Sequence, residues 1–185
     1  MTHRQQWGIV AGIVLLLAGV LAAGVHFLGD ELFPVEVGSK APAIHGVTLD
    51  GARRQKTLDD YEGKVLLVNV WATWCEPCRV EMPSIERLHR EFAPEGLAVV
   101  AISIDDAGAE TRIGDFVKEL GLTFEVLHDP DKVTSRNYQI VAYPETFVIA
   151  RDGTIRRKLI GAADWSSAAN RALMRELLGQ RTASR

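Results

Sequence analysis

Residues 65–78 read VLLVNVWATWCEPC, a largely apolar run that leads into two cysteines three positions apart. The first six residues are typical of a strand that is buried on both faces, because both alternating sets of side chains are mostly apolar. Pro77 suits the first turn of a helix, where its missing N–H would have no partner within the helix. The stretch therefore predicts a junction between a buried strand and a helix, with Cys75 at the amino-terminal end of that helix.

Strand and helix patterns alternate on both sides of this junction. Strands are predicted at 65–70, 97–104, 124–127, 146–150 and 155–160, and helices at 77–92, 110–120 and 166–178, with one or two helical turns in 131–138. Asp152-Gly153 lies between the last two strands and is a strong hairpin signal. Strand-helix-strand units that end in a hairpin predict an α/β fold, with helices on the faces of a mixed sheet.

Composition excludes several classes of protein. The 21 basic and 24 acidic residues give a net charge of -3, so no basic stripe is available for nucleic-acid phosphates. Two cysteines are too few for a disulfide framework or a four-thiolate zinc site. The sequence has no Gly-rich nucleotide loop, so we expect neither a bound cofactor nor an internal source of reducing power.

The amino-terminal segment carries the excess of apolar residues. Residues 8–28 contain no Asp, Glu, Lys or Arg, and a helix of that length spans roughly the 30 Å hydrocarbon core of a bilayer. Arg4 precedes the run and acidic residues follow it, which predicts a single-pass anchor with the domain outside the cytoplasm. A cleaved signal peptide is the alternative, although its apolar region normally covers about 7 to 15 residues. We expect an anchor or signal peptide at 1–29, a linker at 30–39, the folded domain at 40–180 and a tail at 181–185.

The two cysteines are the candidate redox-active disulfide. A helix amino terminus stabilises a thiolate and lowers its pKa from about 8.5 toward 3.5 to 7.5, which makes Cys75 the predicted nucleophile. Cys78 lies on the helix face that points into the core and would be the resolving thiol that attacks the mixed disulfide. Both cysteines are therefore assigned as catalytic residues.

Other interpretations of this pair stay open. A structural disulfide is one, although so small a loop constrains the unfolded chain little. Half of a metal site is another, completed by His45, His89 or His128, none of which has a diagnostic spacing. Haem attachment is excluded, because Arg79 stands where C-x-x-C-H needs histidine.

Glu81 is the third predicted catalytic residue. It shares a helix face with Cys78, and charged groups are seldom buried without a partner. Burial would raise its pKa and make it a proton acceptor and donor for Cys78. The alternative is a Glu81 that turns outward and pairs with Arg79 or Arg87. Pro144 enters the next strand and is expected to be trans from the base rate alone, since only about 5 to 6% of X-Pro bonds are cis.

These residues together resemble the thioredoxin superfamily, and within it the TlpA-like, membrane-anchored thiol-disulfide oxidoreductases that include the cytochrome c maturation reductants. The resemblance covers residues 38–178. It rests on Gly63-Lys64, WATWCEPC at 71–78, Glu81, Pro83, YPETFVI at 143–149 and the Asp152-Gly153 hairpin. It implies a thioredoxin-like sheet in which the segment 106–129 is an inserted helix and strand, and it matches Glu81 to the active-site glutamate of that branch.

The resemblance also implies a substrate-binding surface. Pro144 becomes a cis-proline beside the disulfide, and Tyr143 offers its backbone to a client chain by strand-like pairing. Trp74, Glu76 and Pro77 complete the predicted substrate-binding residues. Glu76 should disfavour the Cys75 thiolate, which favours a reductant over a strong oxidant.

The sequence thus predicts a monomeric thiol-disulfide oxidoreductase in the bacterial inner membrane, with its domain in the periplasm. It would reduce disulfides in exported clients, with cytochrome c maturation and oxidase copper-site assembly as candidate pathways. Its electrons would come from a transmembrane thiol carrier. The alternative is a Cu(I) metallochaperone that uses the two thiolates and a histidine such as His128. A peroxidase is a third possibility, although no P-x-x-x-T-x-x-C motif surrounds Cys75.

Overall fold

The computed structural model describes residues 3–32 and 35–179. The chain divides into two compact units, Met1–Pro34 and Val35–Arg185. The first contains helix α1 (His3–Leu32). Among the described residues, we find no helix with both the length and the apolar character needed to cross a membrane. The anchor over residues 1–29 therefore stays a prediction, and the tail at 181–185 lies outside the described residues.

The second unit is an α/β domain, as the alternating patterns predict. Its strands are β1 (Gly46–Thr48), β2 (Gln55–Lys56), β3 (Val65–Trp71), β4 (Leu97–Ser103), β5 (Glu125–His128), β6 (Glu145–Ile149) and β7 (Ile155–Ile160), and its helices are α2 (Glu76–Phe92), α3 (Glu110–Glu119), α4 (Val133–Asn137) and α5 (Ala168–Gly179). Single 3-10 turns lie at Leu58–Tyr61 and Ala93–Glu95. Each predicted element is present, with ends that differ by one or two residues.

The seven strands form one mixed sheet in the order β2-β1-β5-β4-β3-β6-β7. β3 pairs in parallel with β4, and β4 in parallel with β5. β6 runs antiparallel to both β3 and β7. Strands β1 and β2 were not predicted, because two or three residues are too few to establish an alternating pattern. Gly46 lets β1 approach β5, since a Cβ on this residue would lie 2.8 Å from the Cβ of Leu127.

The core explains why Cys75 stands where it does. All seven residues of β3 are buried, as its apolar sequence predicts for a central strand. Helix α2 buries Met82, Ile85 and Leu88 completely, and each such side chain contributes about 1.5 to 3 kcal/mol by leaving water. This packing fixes the start of α2 close to the carboxyl end of β3.

The helix and strand expected within 106–129 are present as α3 and β5. Because β5 is parallel to β4, three neighbouring strands end at the same edge of the sheet. Trp71, Ser103 and His128 are in register there. The candidate active site lies at this edge.

Candidate active site

Cys75 and Cys78 are joined in a disulfide at the amino terminus of α2. Cys75 is the N-cap of the helix, and its Sγ accepts a hydrogen bond from the backbone N–H of Cys78 at 3.2 Å. Cys75 keeps 5% of its surface exposed, whereas Cys78 has none. The sulfur that a client can reach, and that the helix end stabilises as a thiolate, is therefore that of Cys75.

Glu81 lies one helical turn after Cys78 and is 1% exposed. Its carboxylate accepts hydrogen bonds from Asn69 Nδ2 at 2.6 Å, Trp165 Nε1 at 3.2 Å and the backbone N–H of Ala163 at 3.3 Å. Burial raises the pKa of Glu81 to about 7, although these three hydrogen bonds act in the opposite direction. A carboxyl group with this pKa exchanges protons readily at neutral pH.

The outward-facing alternative for Glu81 is wrong. Arg79 pairs with Glu119 at 2.7 Å between Nη1 and Oε1. Arg87 donates to Ser166 Oγ from Nε and Nη2. Glu81 instead points inward, because three donors fixed by the surrounding fold meet its carboxylate there.

Asn69 connects Glu81 to the strand that follows Pro144. Its Nδ2 group also donates to Thr146 Oγ1 at 2.8 Å, and the two residues are paired in the β3–β6 register. The sequence carries a signal for Asn69, since an amide within an apolar buried strand needs a buried partner. Nothing in the sequence marks Trp165 as a partner of Glu81, because the two residues lie 84 positions apart along the chain.

The Tyr143-Pro144 peptide bond is cis. The expectation of a trans bond from the base rate is therefore wrong, and the cis bond implied by the family resemblance is confirmed. The ring of Tyr143 meets the ring of Trp74 edge-on, with centroids 5.9 Å apart. Trp74 is 64% exposed, and Glu76 and Pro77 are also exposed. Two of the predicted substrate-binding side chains thus form one aromatic surface, which links the loop of Pro144 to the segment before Cys75.

Glu145 holds the loop before Pro144 in place, and this role was not predicted from the sequence. Glu145 is fully buried, and its Oε2 accepts a hydrogen bond from the backbone N–H of Val141 at 3.2 Å. Its Oε1 lies 3.5 Å from Lys158 Nζ, which supplies the opposite charge. A Glu within a predicted buried strand was the available signal, since a buried carboxylate needs a cationic partner.

The histidines considered as metal ligands have other partners. His45 Nδ1 lies 3.3 Å from Asp129 Oδ1, and the ring of His89 meets that of Phe124 edge-on. His128 is fully buried, and its Nε2 lies 2.8 Å from the carbonyl oxygen of Asp105, to which it donates. In the part of the chain that the structure describes, no three His, Cys, Asp or Glu side chains are grouped so that they could hold a metal ion.

A thioredoxin-like sheet with a disulfide between Cys75 and Cys78 at a helix amino terminus defines a thiol-disulfide oxidoreductase. Comparison with known proteins agrees. The chain belongs to the AhpC/TSA family, whose model matches residues 37–158.

The chain is similar to one relative that is named for this activity and to another that is named as thioredoxin-like. The chain is 36% identical over 152 residues to the thiol-disulfide oxidoreductase ResA of Oceanobacillus iheyensis, covering 81% of this chain and 78% of that protein. It is 37% identical over 166 residues to the thioredoxin-like protein YneN of Bacillus subtilis, covering 85% and 91% of the two chains. Among solved structures, a putative thiol:disulfide interchange protein DsbE from Chlorobium tepidum is similar, with a TM-score of 0.69 and 26% identity. That match covers 78% of this chain and 99% of the other.

Proposed function

We propose that this oxidoreductase is a membrane-tethered reductant of disulfides in exported proteins. The observation that carries the proposal is the placement of Cys75, which is slightly exposed at the helix end, in front of a fully buried Cys78 and a buried Glu81. This arrangement separates the three roles that dithiol exchange needs, namely attack, resolution and proton transfer.

The proposed reaction transfers two electrons to the client. The Cys75 thiolate attacks one sulfur of the client disulfide and forms a mixed disulfide, and the first client sulfur leaves as a thiolate that takes a proton. Glu81 accepts the proton of the Cys78 thiol. The Cys78 thiolate then attacks the Cys75 sulfur, and the second client thiolate leaves and is protonated. The client ends as a dithiol and this protein as the Cys75–Cys78 disulfide.

The direction of transfer is supported by the charges next to Cys75. Glu76 is exposed beside it and disfavours the thiolate. Arg79, the nearest cation along the chain, is ion-paired with Glu119 and stacks over Phe116 at 4.6 Å. We expect a reduction potential nearer the roughly -270 mV of thioredoxin than the roughly -120 mV of a strong periplasmic oxidant. A measured potential near -120 mV would reverse the proposed direction.

Location and electron supply belong to the same proposal. The uncharged apolar run at 8–28 supports a tether, and the charges around it support a domain outside the cytoplasm. A transmembrane thiol carrier would then re-reduce the disulfide. The full-length chain should resist extraction from membranes by alkaline carbonate, whereas a variant that begins at Val35 should be released. Release of the full-length chain would contradict the tether.

Trapping tests the function and identifies the client. Cys78→Ser removes the resolving thiol, so the mixed disulfide on Cys75 should accumulate and be isolated under non-reducing conditions. Cys75→Ser is the matched control and should capture nothing. If only Cys75→Ser captured clients, the assignment of nucleophile and resolving thiol would be wrong. Apocytochrome c and the copper-site cysteines of a respiratory oxidase are the candidate clients implied by the family resemblance.

A further inference from the structure

A buried carboxylate outside the pair of cysteines reaches the turn that carries them. Asp105 follows strand β4 and is fully buried. Its Oδ2 accepts hydrogen bonds from the backbone N–H of Thr73 at 2.8 Å and from Ser103 Oγ at 2.7 Å. Its Oδ1 accepts from Thr73 Oγ1 at 2.6 Å and from Arg112 Nη2 at 3.0 Å.

Thr73 is held from two sides. It lies between the end of β3 and the start of α2, two residues before Cys75. Its hydroxyl donates to Asp105 and accepts a hydrogen bond from Arg112 Nε at 2.9 Å. Thr73, Asp105 and Arg112 therefore form a closed hydrogen-bonded ring, which we call the Thr73 clamp. Arg112 belongs to α3, so the inserted helix contributes directly to the environment of the active-site turn.

We propose that Asp105 and Arg112 are positioning residues for the nucleophile: through Thr73 they hold the turn at 73–75 so that the Cys75 sulfur stays aligned with the amino terminus of α2. The proposal rests on the function proposed above and adds a role for the inserted helix α3. Because Trp74 lies between Thr73 and Cys75, the same clamp fixes the aromatic surface that a client would meet.

The effect of the amino terminus of α2 on the Cys75 sulfur depends steeply on the position of that sulfur. The stabilisation of a negative sulfur by a helix amino terminus is confined to about the first turn, so a small displacement of Cys75 weakens it. Within the turn, the backbone N–H of Cys75 bonds to Ala72 O at a long 3.2 Å. The clamp adds a shorter bond to the backbone of Thr73, with an ionised acceptor, and charge-assisted bonds of this kind are roughly twice as strong as neutral ones.

Asp105 remains ionised at neutral pH. Burial by itself would raise its pKa, but the hydrogen bonds from Thr73, Ser103 and Arg112 outweigh burial and hold the pKa below its ordinary value. An ionised, buried acceptor with four donors has few alternative arrangements, because moving any donor away leaves charge uncompensated. The clamp is accordingly a rigid support for the turn.

The test compares Thr73→Val with Thr73→Ser, neither of which changes any charge. Valine keeps the branched shape and loses the hydroxyl, whereas serine keeps the hydroxyl. The measurement is the pH profile of iodoacetamide alkylation of Cys75 in a Cys78→Ser background, where only one thiol reacts. We expect Thr73→Val, which loses both hydrogen bonds of the hydroxyl, to slow alkylation below pH 7 by about three- to tenfold, and Thr73→Ser to stay within about twofold of the parent. Arg112→Lys keeps the charge but replaces the planar fork of Nε and Nη2 with a single ammonium nitrogen, so it should move the profile in the same direction as Thr73→Val.

Two controls separate positioning from stability. Asp106→Asn removes an exposed carboxylate that pairs with Lys132, next to Asp105 but outside the clamp. Ile113→Val removes one buried methyl group from α3 and should lower the stability of that helix. Neither variant should change the alkylation profile. A profile for Thr73→Val that matches the parent, or an equal change in Ile113→Val, would overturn the proposal.

The assay also distinguishes failure of the clamp from failure of the proposed function. Alkylation uses a small reagent and needs no client. If Thr73→Val slows alkylation but the wild-type protein reduces no exported client, the proposed function fails and the clamp stands. If clients are trapped normally and the profile is unchanged, the clamp fails alone.

Discussion

The wild-type domain should lose stability as the pH rises through the pKa of Glu81, and replacing Glu81 with Gln should remove this loss. An acid whose pKa rises from 4.5 in the unfolded chain to about 7 in the folded one binds a proton more tightly when folded. Its contribution is therefore favourable at low pH and is lost as the pH rises from about 4.5 to 7. At 1.36 kcal/mol per pKa unit, the full cost of the ionised form above pH 7 is about 3 kcal/mol.

The magnitude follows from integrating this linkage between two accessible pH values. From pH 5 to pH 8, the stability of Glu81→Gln relative to wild type should rise by about 2.5 kcal/mol. The constant offset between the two proteins is set by the rearranged hydrogen bonds with Asn69 and Trp165, and it does not affect the slope. Urea unfolding of the oxidised proteins measures the difference, because an intact disulfide removes thiol titration from the comparison.

Glu86→Gln is the matched control on the same helix. Glu86 is also buried, but hydrogen bonds from Thr123 and Arg90 outweigh the effect of burial and lower its pKa. Between pH 5 and pH 8 this carboxyl group is ionised in the folded state and largely ionised in the unfolded one, so the difference from wild type should change by no more than about 0.2 kcal/mol over that range. A constant difference for Glu81→Gln as well would refute the argument that burial raises the pKa of Glu81.

Two further predictions concern residues that position the site and the sheet. Asn69→Ala removes a donor that lowers the pKa of Glu81, so the pH range over which stability is lost should extend above about 7. The protein should also lose about 1 to 3 kcal/mol of stability from the donors and acceptors left unpaired. An unchanged pH dependence in the same urea series would contradict the role of Asn69. Gly46→Ala places a Cβ 2.8 Å from the Cβ of Leu127 and should cost about 1 to 3 kcal/mol of stability. Gly51→Ala is the control, because its methyl group meets open space and should leave stability within about 0.5 kcal/mol of wild type. Equal effects of the two substitutions in urea unfolding would show that β1 accommodates the methyl group.

The features that the sequence predicted correctly are those in which a local pattern marks a buried strand or helix. The apolar run of β3 and the Pro between the cysteines predicted the strand, the helix start and the position of Cys75, because periodicity and capping are local properties. Glu81 was predictable for the same reason, since its spacing from Cys78 places it on the buried face of α2. Strands β1 and β2 were missed, because their pairing with each other and with β5 defines them, rather than a pattern of their own.

Other features of the site depend on distant parts of the chain. The donors to Glu81 come from strand β3 and from the segment between β7 and α5, and Trp165 reaches it from 84 residues away. Local sequence cannot specify such contacts, because packing of the whole domain brings these residues together. The cis bond before Pro144 is similar: the base rate favours trans, and only the family resemblance pointed to the isomer that the structure contains.

The sequence by itself determined the fold class, the cysteine pair and the carboxylate behind it, since each follows from residue type and spacing along a single strand or helix. The tertiary structure decided how that site is supported. It placed Asn69 and Trp165 around Glu81, and it joined Asp105 and Arg112 to Thr73. The first set of contacts joins strand β3 and the segment after β7 to helix α2, and the second joins the ends of two parallel strands to helix α3; these parts adjoin one another only after the sheet has formed.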